Sequence, residues 1–294
     1  VKVVDFETVT HGKWILAGEH AVIRGFPALV FPLHEKKLTL QYTATPTTLQ
    51  ITCESPSGKL LSLLSKRLLM QGIQVLGLGE TALTGVFYLT SDIPIGVGMG
   101  ASAALSVAIA RWFVYQGLVQ SEACFHFAKS LEDVFHGSSS GLDIAGVSAE
   151  SGILFEQGKQ TPLASLWQPF FYLSSCHEMG MTLDCIQQVA ALHQAYPTRA
   201  VWLDHQMNQS VKLAHESLNL DASCGLPLLV TAINLARDCF EQWGLVSASL
   251  RAHMDQLKAE GALAVKPTGA GKGGHVVSLW NEAISRPELE RLIL

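Results

Sequence analysis

The stretch Asp92-Ile-Pro-Ile-Gly-Val-Gly-Met-Gly-Ala-Ser-Ala-Ala-Leu105 decides how this chain reads. Its three glycines, Gly96, Gly98 and Gly100, let the backbone turn tightly and come close to a ligand. Ser102 then opens a segment that is apolar on nearly every side as far as Val114, which predicts a helix buried in a core. The start of such a helix offers free N–H groups and the positive end of the helix dipole. Phosphate is the usual anion at such a place. Gly96, Gly98 and Ala101 fit G-x-G-x-x-[GA], but the match does not follow the first strand, and Glu122 at the expected distance opens a helix. A dinucleotide fold is therefore not indicated. No Gly-Lys-Ser/Thr follows, so this is not a Walker loop. Taken alone, the segment reads equally as a turn before a core helix and as an anion site.

Working outward, eighteen uncharged residues separate Asp92 from Arg111, a length at which a spanning helix has to be considered. Pro94 and the glycines interrupt it, so a buried core helix and no membrane partner are expected. The whole chain has 294 residues, 48% of them apolar and 15% charged. That composition excludes intrinsic disorder, which needs low hydrophobicity and high charge. Twenty basic and 25 acidic residues give a net charge of -5 without a basic run, which argues against nucleic acid. The six cysteines include no C-x-x-C pair, so buried free thiols in a reducing, cytoplasmic setting are expected rather than zinc or disulfides. The opening Val-Lys-Val-Val-Asp has no apolar core of a signal peptide. The high apolar fraction leaves room for a buried homodimer surface.

Alternation predicts strands at 1–8, 14–16, 28–33, 38–43, 49–53 and 82–89. Helices are predicted at 60–70, from Ser102, at 121–136 and near 141–149. Strands are expected at 153–155 and 170–174. Residues 182–260 read as helices broken at Pro197, Gly225/Pro227 and Gly244. Strands at 262–265 and 275–280 and a short terminal helix close the chain. Strands, then helices, then strands indicate an α+β class. The expected division is 1–170 and 171–294.

Two further constellations carry chemistry. Glu132 shares a helical line with Phe125, Ala128 and Phe135, and a carboxylate on a partly apolar face is often paired or cation-bound. Asp143 follows Gly-Ser-Ser-Ser-Gly and starts a new helical segment. Each acid alone reads as an ordinary surface, paired or helix-start carboxylate. Joined to the glycine-rich loop, they match what phosphoryl transfer needs: backbone donors, a carboxylate and hydroxyl for Mg²⁺, and an acid beside the attacking hydroxyl. The other constellation is Lys266-Pro-Thr-Gly-Ala-Gly-Lys-Gly-Gly274. Its glycines lie between two strands, where backbone amides can approach an oxygen anion. A flexible hairpin loop is the equal alternative.

These segments, together with Gly12-Lys-Trp-Ile-Leu-Ala-Gly-Glu-His-Ala-Val22, resemble the three motifs of the GHMP kinases, in order and from residue 12 to 274. The first motif and His136-Gly-Ser-Ser-Ser-Gly-Leu-Asp143 look most like the mevalonate kinase branch of that family. The resemblance implies two α+β lobes, the first like ribosomal protein S5 domain 2 and carrying the ATP-binding motif. The second is a ferredoxin-like lobe of helices and sheet. It implies ATP over Pro94, Gly96, Val97, Gly98, Met99, Gly100, Ala101 and Ser102, supported by Gly269, Ala270, Gly271 and Lys272. It implies Mg²⁺ on Ser102 and Glu132, Asp143 and Lys13 as catalytic residues, and Glu19, His20, Thr268 and Asp143 about the acceptor. The implied reaction is ATP-dependent phosphorylation of the primary hydroxyl of mevalonate.

Two positions depart from the family pattern. Ala101 replaces a serine, while Ser102 keeps the hydroxyl matched to Mg²⁺. Lys272 stands where a small residue is common, and it is expected to approach the phosphates. The rivals are a GHMP kinase for another alcohol or for phosphomevalonate, and an inactive metabolite-binding member. A phosphorylated acceptor would call for extra cations, for which Arg24, Lys36, Lys37 and Arg111 are the candidates.

Overall fold

The computed structural model describes residues 4–79, 83–137, 139–178, 180 and 182–294. The fold is mixed α+β with its strands in two sheets. The chain forms two compact units: 1–13, 32–95 and 99–148 in the first, and 14–31, 96–98 and 149–294 in the second.

Strands β1 (Phe6–Ala17) and β2 (Ala28–Thr48) are paired, and each contributes residues to both units. In the first unit β2 pairs antiparallel with β4 (Thr84–Ser91), and β4 pairs parallel with β3 (Gln50–Glu54). Helices α1 (Gly58–Val75), α2 (Ala101–Tyr115), α3 (Cys124–His136) and α4 (Leu142–Ser148) complete the unit. Helix α2 is buried as its composition dictates: Ala103 through Ala110, Trp112 and Phe113 are all inside. The Trp112 ring meets Phe87 edge-on at 4.9 Å and Tyr42 at 5.4 Å, locking α2 against the sheet. Aromatic pairs of this kind add about 0.5–1.5 kcal/mol beyond the area they bury.

In the second unit the start of β2 pairs with β5 (Ile153–Glu156), which pairs with β6 (Lys159–Pro162). A four-stranded antiparallel sheet follows, in the order β10 (Glu290–Leu292), β7 (Phe170–Ser175), β9 (His275–Trp280), β8 (Ala264–Thr268). Helices α5 (Thr182–Ala195), α6 (Pro197–Leu218), α7 (Ala222–Gln242) and α8 (Ala248–Ala259) belong to the same unit. Tyr172, Val265, Val276 and Trp280 from the sheet pack with Leu250 and Met254 of α8.

Four sequence expectations need correction. Residues 28–33 and 38–43, read as separate strands, both lie in β2. The strand expected at 1–8 begins outside the described residues; its residues 6–8 run on without a break into 14–16 as one strand, Phe6–Ala17, because Gly12 sits inside β1 rather than in a turn. The helix break expected at Gly225/Pro227 falls earlier: Asp221 caps α7 by accepting from the Ser223 and Cys224 N–H groups, and Pro227 lies inside the helix. As the sixth residue of α7, Pro227 has no N–H to give the carbonyl four residues back, and the Asp221 cap helps offset that loss. The expected terminal helix is instead strand β10, paired with β7. Among the described residues no helix is long and apolar enough to cross a membrane.

Candidate active site

In the first unit, β1 carries Lys13, α3 carries Glu132, and α4 carries Asp143 in its first turn. Lys13 Nζ lies 2.9 Å from Asp143 Oδ1; the lysine is 2% exposed, the aspartate 37%. The ammonium is thus buried and its partner is open to solvent. Glu132 is buried, and among the described residues its Oε2 has no partner within hydrogen-bonding distance, although the nearby Ser139 hydroxyl favours its charged form. Burial first, and the Asp143 charge second, push its carboxyl up to about 8, while Lys13 opposes the rise. The three side chains therefore act on one another electrostatically.

The loop entering α2 fixes this arrangement. Lys13 N–H donates to Met99 C=O at 2.9 Å, and Thr10 Oγ1 donates to Ala104 C=O at 3.0 Å, tying β1 to the start of the helix. Gly100 caps α2 with φ 81°, and a Cβ there would stand 2.9 Å from Lys13 Cγ and 3.0 Å from Val147 Cγ1. Only glycine fits both the backbone and the lysine stem. No side chain caps α2 and no acid sits in its first turn, so its leading N–H groups remain available to an anion. Ala101 and Ser102 are half-buried, Met99 is buried, and Pro94 is exposed.

In the second unit, Gly96–Gly98 pack backbone-to-backbone on the third motif. A Cβ on Gly269 would stand 3.1 Å from Gly98 Cα, and one on Gly274 2.9 Å from Val97 C=O. His275 Nδ1 lies 3.1 Å from the same Val97 oxygen. Lys272 takes a left-handed φ of 57°, and its N–H donates to Leu245 C=O at 2.6 Å. Its charge lowers the Cys185 thiol against the rise that burial causes.

Glu19 and His20 are buried in the same unit. His20 Nε2 is 2.8 Å from Ala270 C=O, with the ring edge-on to Trp243 at 5.3 Å. Burial drives its imidazole down to about 4. It is neutral at pH 7, and because a carbonyl only accepts, Nε2 carries the proton and Nδ1 is an acceptor. Thr268 Oγ1 accepts from Ile15 N–H at 2.9 Å and lies 3.1 Å from Ile15 C=O.

Sequence reading missed the role of Lys266. It is fully buried, paired with Glu19 Oε1, bonded to Ile15 C=O at 3.1 Å, and 5.5 Å above the Phe240 ring. The signal was present: alternation in β8 puts Lys266 on the face of Ala264 and Thr268. Two of the candidate cations have partners that can be named. Arg24 forks onto Asp204 through two 2.5 Å bonds, and Arg111 donates to Val9 C=O at 2.8 Å and to Thr8 Oγ1 at 3.2 Å.

A family model described as the GHMP kinases N terminal domain matches residues 63–150. A mevalonate kinase of Pyrococcus furiosus is 28% identical over 91% of this chain and 86% of its own length. The L. major mevalonate kinase, solved in complex with R-mevalonate, superposes with a TM-score of 0.76 at 22% identity, covering 95% of this chain and 88% of that one. A Streptococcus pneumoniae phosphomevalonate kinase superposes with a TM-score of 0.72 at 16% identity, covering 98% and 100%. The three motifs in order, the lysine–aspartate pair beside a buried glutamate, the family model over residues 63–150 and relatives matched along nearly their whole length all make the chain similar to the GHMP kinases.

Proposed function

We propose that this chain transfers the γ-phosphoryl group of ATP to the primary hydroxyl of mevalonate, giving 5-phosphomevalonate and ADP. The observation that carries this reading is the 2.9 Å pair between buried Lys13 and solvent-open Asp143 beside buried Glu132. A hydroxyl meeting that pair encounters a cation that lowers its pKa and a carboxylate able to take its proton. Proton transfer of this kind contributes about 10²–10⁴-fold to rate.

Ser102 and Glu132 supply the hard oxygen donors that Mg²⁺ prefers. Glu132 Oε2, buried and without a hydrogen-bond partner among the described residues, is the atom such a cation would satisfy. Bound there, Mg²⁺ would neutralise charge gathering on the transferred group. In the first unit the α2 N-terminus is assigned to the nucleotide phosphates; by the family resemblance residues 94–102 and residues 269–272 are each assigned to the nucleotide. Glu19, His20 and Thr268 are assigned to the acceptor, where neutral His20 offers Nδ1 to a hydroxyl proton rather than a charge to an anion. Relatives bearing the mevalonate kinase name over nearly the full chain favour that acceptor. The engagement of Arg24 and Arg111 by protein groups argues against one carrying a phosphate.

The test is coupled ADP release with ATP and Mg²⁺ on mevalonate, phosphomevalonate, homoserine and galactose, with Asp143→Asn alongside. Turnover confined to mevalonate and lost in the variant supports the proposal. Turnover on a different alcohol keeps the mechanism and overturns the acceptor.

A further inference from the structure

Asp204 lies in the middle of α6, a 22-residue helix, and is 2% exposed. A buried carboxylate is costly unless it is paired. Arg24 supplies the pair as a two-bond fork, Nε to Oδ2 and Nη2 to Oδ1, each 2.5 Å. His193 of α5 adds Nε2 at 3.2 Å from Oδ2. Arg24 closes the short 3₁₀ turn Ala21–Arg24 that directly follows Glu19 and His20.

That turn is not relaxed. His20 has φ 60°, an uncommon backbone for a residue with a side chain. Such conformations persist only where the surroundings over-determine them. The turn's own bonds are all short-range: Ala21 N–H to Glu19 C=O at 2.6 Å, Val22 N–H to Gly18 C=O at 3.1 Å, Ile23 N–H to His20 C=O at 3.3 Å and Gly25 N–H to Val22 C=O at 3.1 Å. The Glu19 and His20 side chains are themselves tied to Lys266 and to Ala270 C=O, and the turn's backbone and flanks are tied to one helix. Gly18 N–H points at Met207 Sδ at 3.2 Å, the Phe26 ring meets His205 edge-on at 5.3 Å, and Arg24 grips Asp204 between them. Met207, His205 and Asp204 all lie on α6. Of the three contacts the Arg24 fork is the directional, charge-assisted one, and fixed geometry is what such forks supply.

We infer that the Arg24–Asp204 fork is a positioning clasp that holds Glu19 and His20 in their acceptor-binding orientation. Neither residue touches the acceptor; both act through the turn. The inference rests on the assignment of Glu19 and His20 to the acceptor.

Asp204→Asn and Arg24→Lys test it. Asparagine keeps the size and one hydrogen bond, and lysine keeps the charge but not the fork. Each variant is expected to raise the acceptor KM about tenfold while the ATP KM stays within twofold. Amide exchange at Ala21 and Val22 should quicken in the protein without ligands, with the core amides of β7 and β9 unchanged. Should Asp204→Asn fail to fold, Arg24→Lys, at a partly exposed position, carries the same readouts. An acceptor KM within twofold of the parent in a folded variant overturns the inference, and so does an equal rise in both KM values. If the parent uses an alcohol other than mevalonate, the KM split is read on that alcohol, so the two readings fail separately. If no alcohol turns over, unchanged exchange at Ala21 and Val22 overturns the clasp and quickened exchange supports it.

Discussion

Lys13 and Asp143 meet at 2.9 Å with the charges unequally placed, the lysine 2% exposed and the aspartate 37%. The buried partner is held by β1 and the open one stands at the start of α4. Asp143→Asn is expected to lower kcat by about 10²–10⁴-fold, the span that a lost proton acceptor removes. Nucleotide affinity, read by fluorescence titration, should stay within about threefold. Lys13→Met keeps the stem that packs on Gly100 and should give a similar loss in kcat.

Gly100→Ala places a methyl group 2.9 Å from Lys13 Cγ and forces a side chain into a φ of 81°. The left-handed backbone alone costs about 1–2 kcal/mol, and the clash adds to it. Thermal unfolding should show a clear drop in Tm, with kcat falling because Lys13 is displaced. Gly117→Ala is the control: its φ is 71° but nothing lies within 4 Å of the added carbon. It should lose stability only, and a parallel loss of activity there would contradict the steric account.

Lys266→Ala leaves Glu19 buried without its cation. Breaking a buried pair from one side costs about 3–5 kcal/mol, so urea unfolding should shift to a much lower midpoint. The double variant Lys266→Met/Glu19→Gln removes both charges and should regain most of that stability. Activity should not return with it, since Glu19 is assigned to the acceptor.

Acid should destabilise the fold through His20. Its imidazole sits at about 4 in the folded chain, against an unfolded value of about 6.5. Between those values the unfolded chain binds more protons, so stability rises with pH across this window and levels off above it. Lowering the pH from 7 to 4 should cost about 3 kcal/mol through this group alone. His20→Gln should flatten the urea-midpoint profile in that range relative to the parent.

Glu132→Gln should separate stability from function. Burial resists the Glu132 carboxylate, so a neutral isostere should leave Tm without metal equal to or above that of the parent. The Mg²⁺ concentration needed for half-maximal turnover should rise at least tenfold. A Tm well below the parent would mean that the carboxylate serves packing instead.

Much of the fold was legible because period and punctuation agreed. The all-round apolar run after Ser102 became the buried α2, and the alternation at 275–280 became β9. The resemblance also named Lys13 and Asp143 before any geometry was known, and they lie 2.9 Å apart. Long-range pairing was not legible. Leu289 and Leu292 look like the apolar positions of a helix, yet β10 is a strand because β7 offers it an edge. Lys266 read as part of a loop motif because its partner Glu19 lies 247 positions away. Arg24 read as a spare cation for the same reason, its acceptor being 180 positions distant.

The contact of Gly98 with Gly269 bears on how this sequence can be recombined. Two loops far apart in the chain share a joint where a side chain on either would crowd the other's backbone, at 3.3 Å from Thr268 C=O or 3.1 Å from Gly98 Cα. A chimera that takes one loop from this chain and the other from a relative inherits two surfaces that were never fitted together. Crossovers that keep 96–98 and 264–280 from one parent preserve the joint, whereas a single crossover anywhere between Gly98 and Gly269 divides it. The heritable module of the second unit is thus discontinuous in the gene, and libraries built by exchanging front and back halves would discard it most often.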